Sequence, residues 1–214
     1  MTFTLLADPD ITRLPVLDCG EPLVRLADHG IRCLPGTGEL GRLARLGVAR
    51  RLSEAQQTLP DGLRFVVSEG HRSAAAQQEI ITAYTAFLQT EHPDASRSEL
   101  ERLSSRFVSP IGVAPHVAGA AVDITIEDST GEQLWMGTPI DATPEASDGA
   151  CYTEAIVDAV ARRNRDTLTT ALESVGFVNY PTEWWHFSYG DRYWAHRTGA
   201  AHAIYGPCAA RPTE

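Results

Sequence analysis

The sequence predicts one α+β domain of 214 residues. This length fits a single domain or at most two small ones, and no repeat, low-complexity tract or interdomain linker divides the chain. Segments with helical periodicity are interspersed with short β-branched runs joined by turns, and no clear strand–helix–strand unit is present. Hydrophobic content of 43% and charged content of 21% are ordinary for a soluble globular protein with a sizeable core.

The first third of the chain is expected to hold one helix and one strand. Residues 1–35 are irregular and rich in Pro and Gly. Leucines and a valine at helical spacing predict a helix over 40–59, which the Pro-Asp-Gly sequence at 60–62 ends. The apolar run 63–68 indicates a buried strand.

Two further helices are indicated by their N-caps. Ser73 is the expected cap of a helix that extends to about Thr90. A shorter helix is expected over 96–103, where Ser96 and Glu99 have the spacing of a capping box.

A loop over 109–115 leads into the β-branched strand predicted at 121–126. Gly131 is expected to close a hairpin whose return strand is 133–136. Residues 137–152 form a long loop rich in Gly, Pro and Ser, and long loops inside compact domains are often functional.

A helix is expected over 153–175, with Gly176 ending it. The runs 177–180 and 184–189 then read as the two strands of a hairpin, with Pro181 at their junction. The C-terminal tail has few periodic cues.

Charge and composition narrow the function. A net charge of -10 argues against a duplex nucleic-acid binder, because phosphate binding needs a basic face. No apolar run approaches membrane-spanning length, and the first ten residues do not resemble a signal peptide, so a soluble, cytoplasmic protein is expected. Homo-oligomerisation is left open.

The cysteines support a reducing compartment. None of the four forms a C-x-x-C pair, and their spacing fits no zinc ribbon. Four unpaired thiols are therefore expected, with a Cys19–Cys33 bridge as an unsupported alternative. These four are Cys19, Cys33, Cys151 and Cys208.

Two distant segments carry the candidate chemistry, and the first is His116-Val-Ala-Gly-Ala-Ala-Val-Asp123. Asp123 lies inside an apolar strand, where an unpaired carboxylate is costly, and a divalent cation would compensate for that cost. Gly119 permits an unusual backbone turn between the two residues. A salt bridge or hydrogen bonds from the backbone to Asp123 would explain the pattern equally well. The other histidines outside the two segments and position 71 have no acidic or histidine partners at ligand spacing; they are His29, His92, His196 and His202.

The second segment is Glu183-Trp-Trp-His186. Residues three apart on a regular strand face opposite sides, so both can serve one site only if the backbone bulges or Glu183 lies in the preceding turn. Together the two segments offer two imidazoles and a carboxylate as ligands and a spare glutamate, the inventory of a hydrolytic zinc site. The two tryptophans would wall this site. An aromatic core strand with a chance Glu and His is the alternative.

Arg72 follows the strand 63–68 at the mouth of a helix, where it could stabilise a developing oxyanion. A surface ion pair between Arg72 and Glu69 is the competing interpretation. The G-x-G-x-x-G pattern at 36–41 is a weak dinucleotide signal, because the run before it is short and ends in Pro35.

Four segments in matching order resemble zinc D-alanyl-D-alanine dipeptidases of the VanX type. They are the two segments above, Glu69-Gly-His-Arg72 and Met136-Gly-Thr-Pro-Ile-Asp141. The resemblance implies a hedgehog-like D,D-peptidase fold, with a small central antiparallel sheet flanked by helices. It also implies one zinc metallopeptidase domain over 1–214, with a catalytic core at 63–194 and a divergent region at 1–60.

The resemblance also implies residue roles. His116, Asp123 and His186 would bind Zn²⁺, and Glu183 would be the catalytic base. Arg72 would stabilise the transition state. Two residues would contact the substrate. Asp141 would hold the free amino group of the dipeptide, and His71 occupies the position where the family has an aromatic residue.

The substrate implied is a small D-amino-acid dipeptide, most simply D-Ala-D-Ala. Two departures bear on substrate recognition: Ala114 replaces a serine of the family, and His71 replaces an aromatic residue. A D,D- or L,D-carboxypeptidase acting on muropeptides and a zinc-binding accessory protein without peptidase activity are the alternatives.

Overall fold

A five-stranded sheet organises the fold in the computed structural model, which describes residues 3–210. The strands are β1 (Leu23–Arg25), β2 (Arg32–Cys33), β3 (Leu43–Arg45), β4 (Arg64–Glu69), β5 (Ala121–Glu127), β6 (Val178–Asn179) and β7 (His186–Ser188). The helices are α1 (Pro9–Thr12), α2 (Leu46–Gln56), α3 (Ala74–Glu91), α4 (Arg97–Ser104), α5 (Ala159–Glu173) and α6 (Arg192–Thr198). Met1 and Thr2, which belong to the expected non-signal N-terminus, lie outside the described residues, as do 211–214.

The main sheet has the strand order β2-β4-β5-β7-β6, and β1 pairs with β3 in a separate two-stranded sheet. Every pair is antiparallel except β2–β4, which is parallel. The α+β class with a small, mainly antiparallel central sheet flanked by helices is thus confirmed. The parallel edge pair β2–β4 departs from the expected antiparallel sheet.

Strand alternation gives the sheet an apolar face that forms the main core. Phe65 and Val67 on β4 lie opposite Ile126 and Ile124 on β5, and Val122 lies opposite Phe187 on β7. All six side chains are almost completely buried, beneath apolar residues of α2 and α5. Each such side chain contributes about 1.5–3 kcal/mol of burial free energy. This face therefore fixes the register of β4, β5 and β7.

The opposite face of the sheet carries polar residues. Asp123 on β5 lies opposite His186 on β7, on the side away from the main core. Helices α3 and α4 pack against each other through a smaller apolar cluster that includes Tyr84, Leu88 and Leu100. The candidate site lies on this polar face of the sheet.

A β-bulge at Ser68 turns the end of β4 towards the polar face. Val67 pairs with Ile124, but the next paired residues are Glu69 and Asp123, so β4 contains one extra residue there. Without the extra residue, Glu69 would share a face with Val67 and point into the apolar core. The bulge places its carboxylate beside Asp123 instead.

The helix predicted over 40–59 begins later than expected. Residues 40–42 form a short 3₁₀ turn, 43–45 form strand β3, and α2 begins only at Leu46. The amide of His71 donates to the carbonyl of Leu43, and that of Arg45 donates to the carbonyl of Gly119. These tertiary hydrogen bonds hold an extended conformation that helical periodicity alone does not predict.

Two other expectations about elements are wrong in part. The return strand at 133–136 is reduced to one bridge between Glu127 and Gln133. The last long helix begins at Ala159 rather than near 153, because the Asp158 side chain accepts from the amides of Val160 and Ala161.

The predictions that rest on local capping patterns and on the C-terminal hairpin pattern are confirmed. Ser73 caps α3, and the reciprocal capping box of Ser96 and Glu99 opens α4. The hairpin near the C-terminus is present as β6 and β7, both shorter than expected. Helix α6, which Asp191 caps through two backbone amides, was not predicted.

Arg165 anchors the long loop, and no carboxylate within residues 3–210 pairs with it. Its guanidinium is buried and donates to the carbonyls of Met136, Ala150, Tyr152 and Thr153. Burial lowers its pKa to about 10, which leaves it charged at neutral pH. One side chain on α5 thereby holds both ends of the loop that contains Asp141.

We expect Arg165→Leu to lower the free energy of unfolding by at least about 3 kcal/mol, because several buried carbonyls would lose their donors. Urea unfolding followed by circular dichroism measures this change. Arg163→Leu, an exposed position on the same helix, is the matched control and should change stability by less than about 0.5 kcal/mol. Equal effects of the two variants would contradict the anchoring role.

Candidate active site

Three ligand-type side chains converge on the polar face of the sheet. His116 Nε2 lies 3.1 Å from His186 Nδ1 and 3.3 Å from Asp123 Oδ2. His186 Nδ1 lies 3.0 Å from Asp123 Oδ1. All three side chains are buried. Residues 70 apart in sequence therefore present two ring nitrogens and a carboxylate to one point.

The backbone near β4 orients the first imidazole. His116 Nδ1 donates to the carbonyl of Gly70 at 2.6 Å, which leaves the Nε2 lone pair directed at the cluster when the ring is neutral. A Cβ atom at Gly70 would lie 2.3 Å from the carbonyl oxygen of Leu43. Only glycine fits this close approach, so Gly70 places the hydrogen-bond acceptor of the first ligand.

The turn from His116 to β5 depends on a second glycine. Gly119 has φ of +65°, and a Cβ atom there would lie 2.4 Å from Leu23 Cδ2. Its amide donates to the carbonyl of His116 at 3.0 Å. The expected unusual turn is therefore present and brings His116 over the start of the strand that contains Asp123.

The geometry of this trio fits a small divalent cation. Donor atoms around a tetrahedral ion with bonds of about 2.0–2.1 Å lie about 3.3 Å apart, close to the separations found here. Burial alone would raise the pKa of Asp123, but His116 and His186 outweigh it and hold that pKa well below its usual range. Burial lowers the pKa of His186, which favours the neutral ring that ligation requires.

Glu183 lies beside the trio without belonging to it. Its Oε2 is 3.6 Å from His186 Nδ1, beyond hydrogen-bond distance. It occupies the turn before β7, where its amide donates to the carbonyl of Tyr180. Burial, together with the charges of Asp123 and Asp141, raises its pKa well above the ordinary glutamate value. The sequence allowed either a bulge in the strand or a position of Glu183 in the preceding turn, and the structure has the turn.

Arg72 reaches the same cavity and is also paired with Glu69. Its Nε donates to Glu69 Oε1 at 2.8 Å, its Nη2 donates to Glu69 Oε2, and its Nη1 donates to Gln77 Oε1 at 2.9 Å. A guanidinium has five N–H donors, so two remain for another partner. The Arg72–Glu69 ion pair that the sequence suggested as an alternative is present. It lines the cavity instead of lying at the outer surface, and the Arg72 side chain is only 13% exposed.

Asp141 faces the cavity from the long loop. Its φ of +64° is in the left-handed region, which is unusual for a residue other than glycine. The residue is partly exposed, and it also lines the cavity. This partial burial, with Asp123 and Glu69 nearby, raises its pKa to about 6. An amino group would find an acidic partner there.

One expected substrate-contacting residue lies elsewhere. His71 does not line the cavity; its buried ring contacts the backbone carbonyl of His116 through Nδ1 at 3.1 Å. Trp184 is also turned away, with its Nε1 donating to Thr138 Oγ1, so only Trp185 walls the site. The expectation that both tryptophans line the site is wrong in this respect.

Several cavity residues were not identified from sequence. The cavity has a volume of about 260 Å³, and its further walls come from Leu6, Gln77, Ile80, Phe107, Val108, Ser109 and Tyr180. These residues carry no motif, since they are ordinary apolar or polar side chains from distant segments. A spacing argument had no signal by which to find them.

A buried His–Asp–His trio beside a glutamate and an arginine defines the class of metal-dependent hydrolases. Residues 42–203 match the family model of the M15 peptidases, described as D-ala-D-ala dipeptidase. The match covers most of the chain, and this protein belongs to that family of metallopeptidases.

Two relatives that are similar in sequence agree with this assignment. The chain is 30% identical to a D-alanyl-D-alanine dipeptidase of Synechocystis sp., over 88% of this chain and 90% of the relative. It is 31% identical to a protein of the same name from Escherichia coli, over 73% of this chain and 66% of the relative. Among solved structures, VanYB in complex with D-Alanine-D-Alanine has a TM-score of 0.48 and 17% identity, with 76% of this chain and 82% of that chain covered.

The pKa of Asp141 leads to an expectation for the metal-free protein. Because the folded-state pKa of about 6 is above the unfolded value of about 3.9, ionisation opposes folding above pH 6, and this penalty is lost as pH falls through 6 towards 4. Asp141→Asn should therefore be more stable than the wild type at pH 8, by about 1 kcal/mol or less given its exposure, and equal near pH 4. Urea denaturation at both pH values measures the difference. A pH-independent gap for Asp141→Asn would contradict the shifted pKa.

Proposed function

We propose that this protein is a zinc-dependent dipeptidase that hydrolyses the peptide bond of a small D-amino-acid dipeptide, D-Ala-D-Ala above all. One observation carries the proposal: the His116–Asp123–His186 trio, Glu183 and Arg72 line a single cavity. The names of the Synechocystis and E. coli relatives support the same substrate.

His116, Asp123 and His186 would hold the zinc ion. Two imidazoles and one carboxylate are the donor set of a catalytic zinc site with an open position. When bound, zinc supplies Lewis acidity, which acidifies water and polarises a carbonyl oxygen.

Glu183 would act as the general base and then as the general acid. It would accept a proton from the attacking water and pass it to the amine of the leaving amino acid. Burial raises the pKa of Glu183 well above the ordinary glutamate value, which makes its carboxylate a stronger base towards the attacking water. Its place outside the trio leaves its carboxylate free for this task.

Arg72 and Asp141 would orient the substrate and stabilise charge. The two uncommitted N–H groups of Arg72 can donate to the oxyanion that forms at the scissile carbonyl. Asp141 can pair with the free amino group of a dipeptide. We propose that His71 positions His116 rather than contacting substrate, since its ring lies against the His116 carbonyl.

The cavity size favours a dipeptide over a muropeptide. Its volume of about 260 Å³ is below the ~300–1,000 Å³ of pockets that hold drug-sized ligands. A D,D- or L,D-carboxypeptidase would need room for a longer stem. Incubating the zinc-loaded protein with D-Ala-D-Ala and with a pentapeptide stem, each with and without chelator, separates these activities from each other and from a zinc-binding protein without peptidase activity.

We further propose that the protein acts in the cytoplasm. All four cysteines are free thiols, and the Cys19–Cys33 bridge is not formed. Unpaired cysteines are typical of reducing compartments. Within residues 3–210, no helix has both the length and the apolar character that crossing a bilayer requires.

Glu183→Gln is expected to bind zinc normally but to lower kcat for D-Ala-D-Ala by about 10²–10⁴-fold, because the amide cannot take the proton. Metal content by atomic absorption and turnover by amino-acid release are the two measurements. Glu132→Gln, in an exposed turn, serves as the control and should retain full activity. Near-normal turnover of Glu183→Gln would remove Glu183 from the role of base.

Asp123→Asn should weaken zinc binding by at least about 100-fold, because the only anionic ligand of the trio is lost. Competition with a chromophoric chelator measures the affinity, and His92→Ala, a histidine outside the site, provides the comparison. Unchanged affinity in Asp123→Asn would show that the trio is not the zinc site.

A further inference from the structure

The N-terminal segment forms part of the wall of the catalytic cavity. We call residues 3–8 the N-terminal strap. Within the strap, Leu6 lines the cavity that also contains His116, Glu183 and Tyr180, whereas its neighbour Leu5 does not. Both leucines are almost fully buried, at 3% and 2% exposure. The strap lies outside the part of the chain that matches the family model, residues 42–203.

Several contacts fix the strap in place. The amide of Leu6 donates to Tyr180 Oη at 3.2 Å, and that hydroxyl donates to the carbonyl of Ser105 just after α4. Asp8 accepts from the amide of Leu5 at 2.9 Å and lies 3.7 Å from Arg102 on α4. Leu6 is thus fixed by the hydrogen bond of its own amide and by the contacts of the flanking residue Asp8.

Apolar packing reinforces these contacts. Leu5 and Leu6 share a buried cluster with Ile11, Tyr180 and Tyr193, which joins the strap to α1, the turn before β7, and α6. The Tyr180 ring also packs edge-on against the His186 ring, with centroids 6.0 Å apart. The strap therefore reaches the catalytic trio through one intervening side chain.

We propose that Leu6 is a specificity-determining residue that limits the substrate to two amino acids. This inference rests on the proposed dipeptidase function and concerns the same cavity. The Leu6 side chain occupies volume that a third residue of a longer peptide would need. Since hydrogen bonds and apolar packing fix the strap, moving it aside would break the Tyr180 hydrogen bond and the apolar cluster.

The physical basis of this limit is steric exclusion in a packed wall. A single extra methylene against a hydrophobic wall of a binding pocket changes specificity by about 10–200-fold, and a whole extra residue is a larger intrusion. Leu6 is one of the apolar side chains that line the cavity, which has a volume of about 260 Å³. Shortening Leu6 should therefore favour a longer peptide more than it affects the dipeptide.

The test compares D-Ala-D-Ala with tri-D-alanine, which has the same terminal charges and one more residue. Calorimetry in the zinc-loaded Glu183→Gln background gives Kd for both peptides, and kcat/KM is measured in the otherwise wild-type background. We expect the wild-type protein to favour the dipeptide by at least about 100-fold. The Leu6→Ala variant should reduce this preference at least about 10-fold. Leu5→Ala is the matched control and should leave the preference within about 2-fold of wild type.

Thermal melting verifies that each variant is folded, and Leu6→Val keeps the test available if Leu6→Ala does not fold. An unchanged Kd ratio in the folded Leu6 variants, or an equal shift in Leu5→Ala, overturns the role of Leu6. Failure of the wild type to hydrolyse either peptide contradicts the proposed activity, while the Kd ratios still decide whether Leu6 limits length. Failure of both peptides to bind any variant overturns both proposals.

Discussion

The buried carboxylate of Asp123 is the constraint on which the candidate site depends. An ionised carboxylate inside a sheet is tolerated only when charge and hydrogen bonding compensate for lost hydration. Here the compensation comes from two imidazoles, one on the neighbouring strand β7 and one at the end of a glycine-dependent turn. The Asp123–His186 pairing is in turn fixed by the apolar register of Val122 with Phe187 on the other face. A slip of one residue would bury the wrong set of side chains, so core packing and site geometry are one requirement.

Much of the site could be predicted because its key residues are short-range neighbours in sequence. His116 and Asp123 flank one turn, and Glu183 and His186 flank another, so spacing and local turn chemistry restrict their positions. The rest could not be predicted, because it arises from contacts across the chain. Leu6 reaches the cavity from the N-terminus, and the bulge at Ser68 that turns Glu69 into it has no sequence signal. The position of His71 behind the first ligand also depends on a contact between segments 45 residues apart.

The fold shows the same division between local and long-range information. The caps at Ser73 and Ser96 were predictable, because a cap is a hydrogen bond within four residues. Strand β3 was mistaken for helix, because its conformation is set by partners on β1, at His71 and at Gly119. Helix propensity contributes tenths of a kcal/mol per residue, which a few buried backbone hydrogen bonds outweigh.

The bonds from Arg165 to the long loop determine how the ends of that loop respond to a fall in pH. Arg165 holds the loop through carbonyl groups, which do not titrate, and its own pKa of about 10 keeps it charged through the neutral range. A carboxylate anchor would release the loop in acid, when it became protonated. The bonds from Arg165 therefore hold the two ends of the loop independently of pH, whereas the middle of the loop is held through a carboxylate, that of Glu145, which pairs with Arg106 and accepts from Tyr84 Oη. The ends of the loop that presents Asp141 and its middle thus depend on different kinds of interaction.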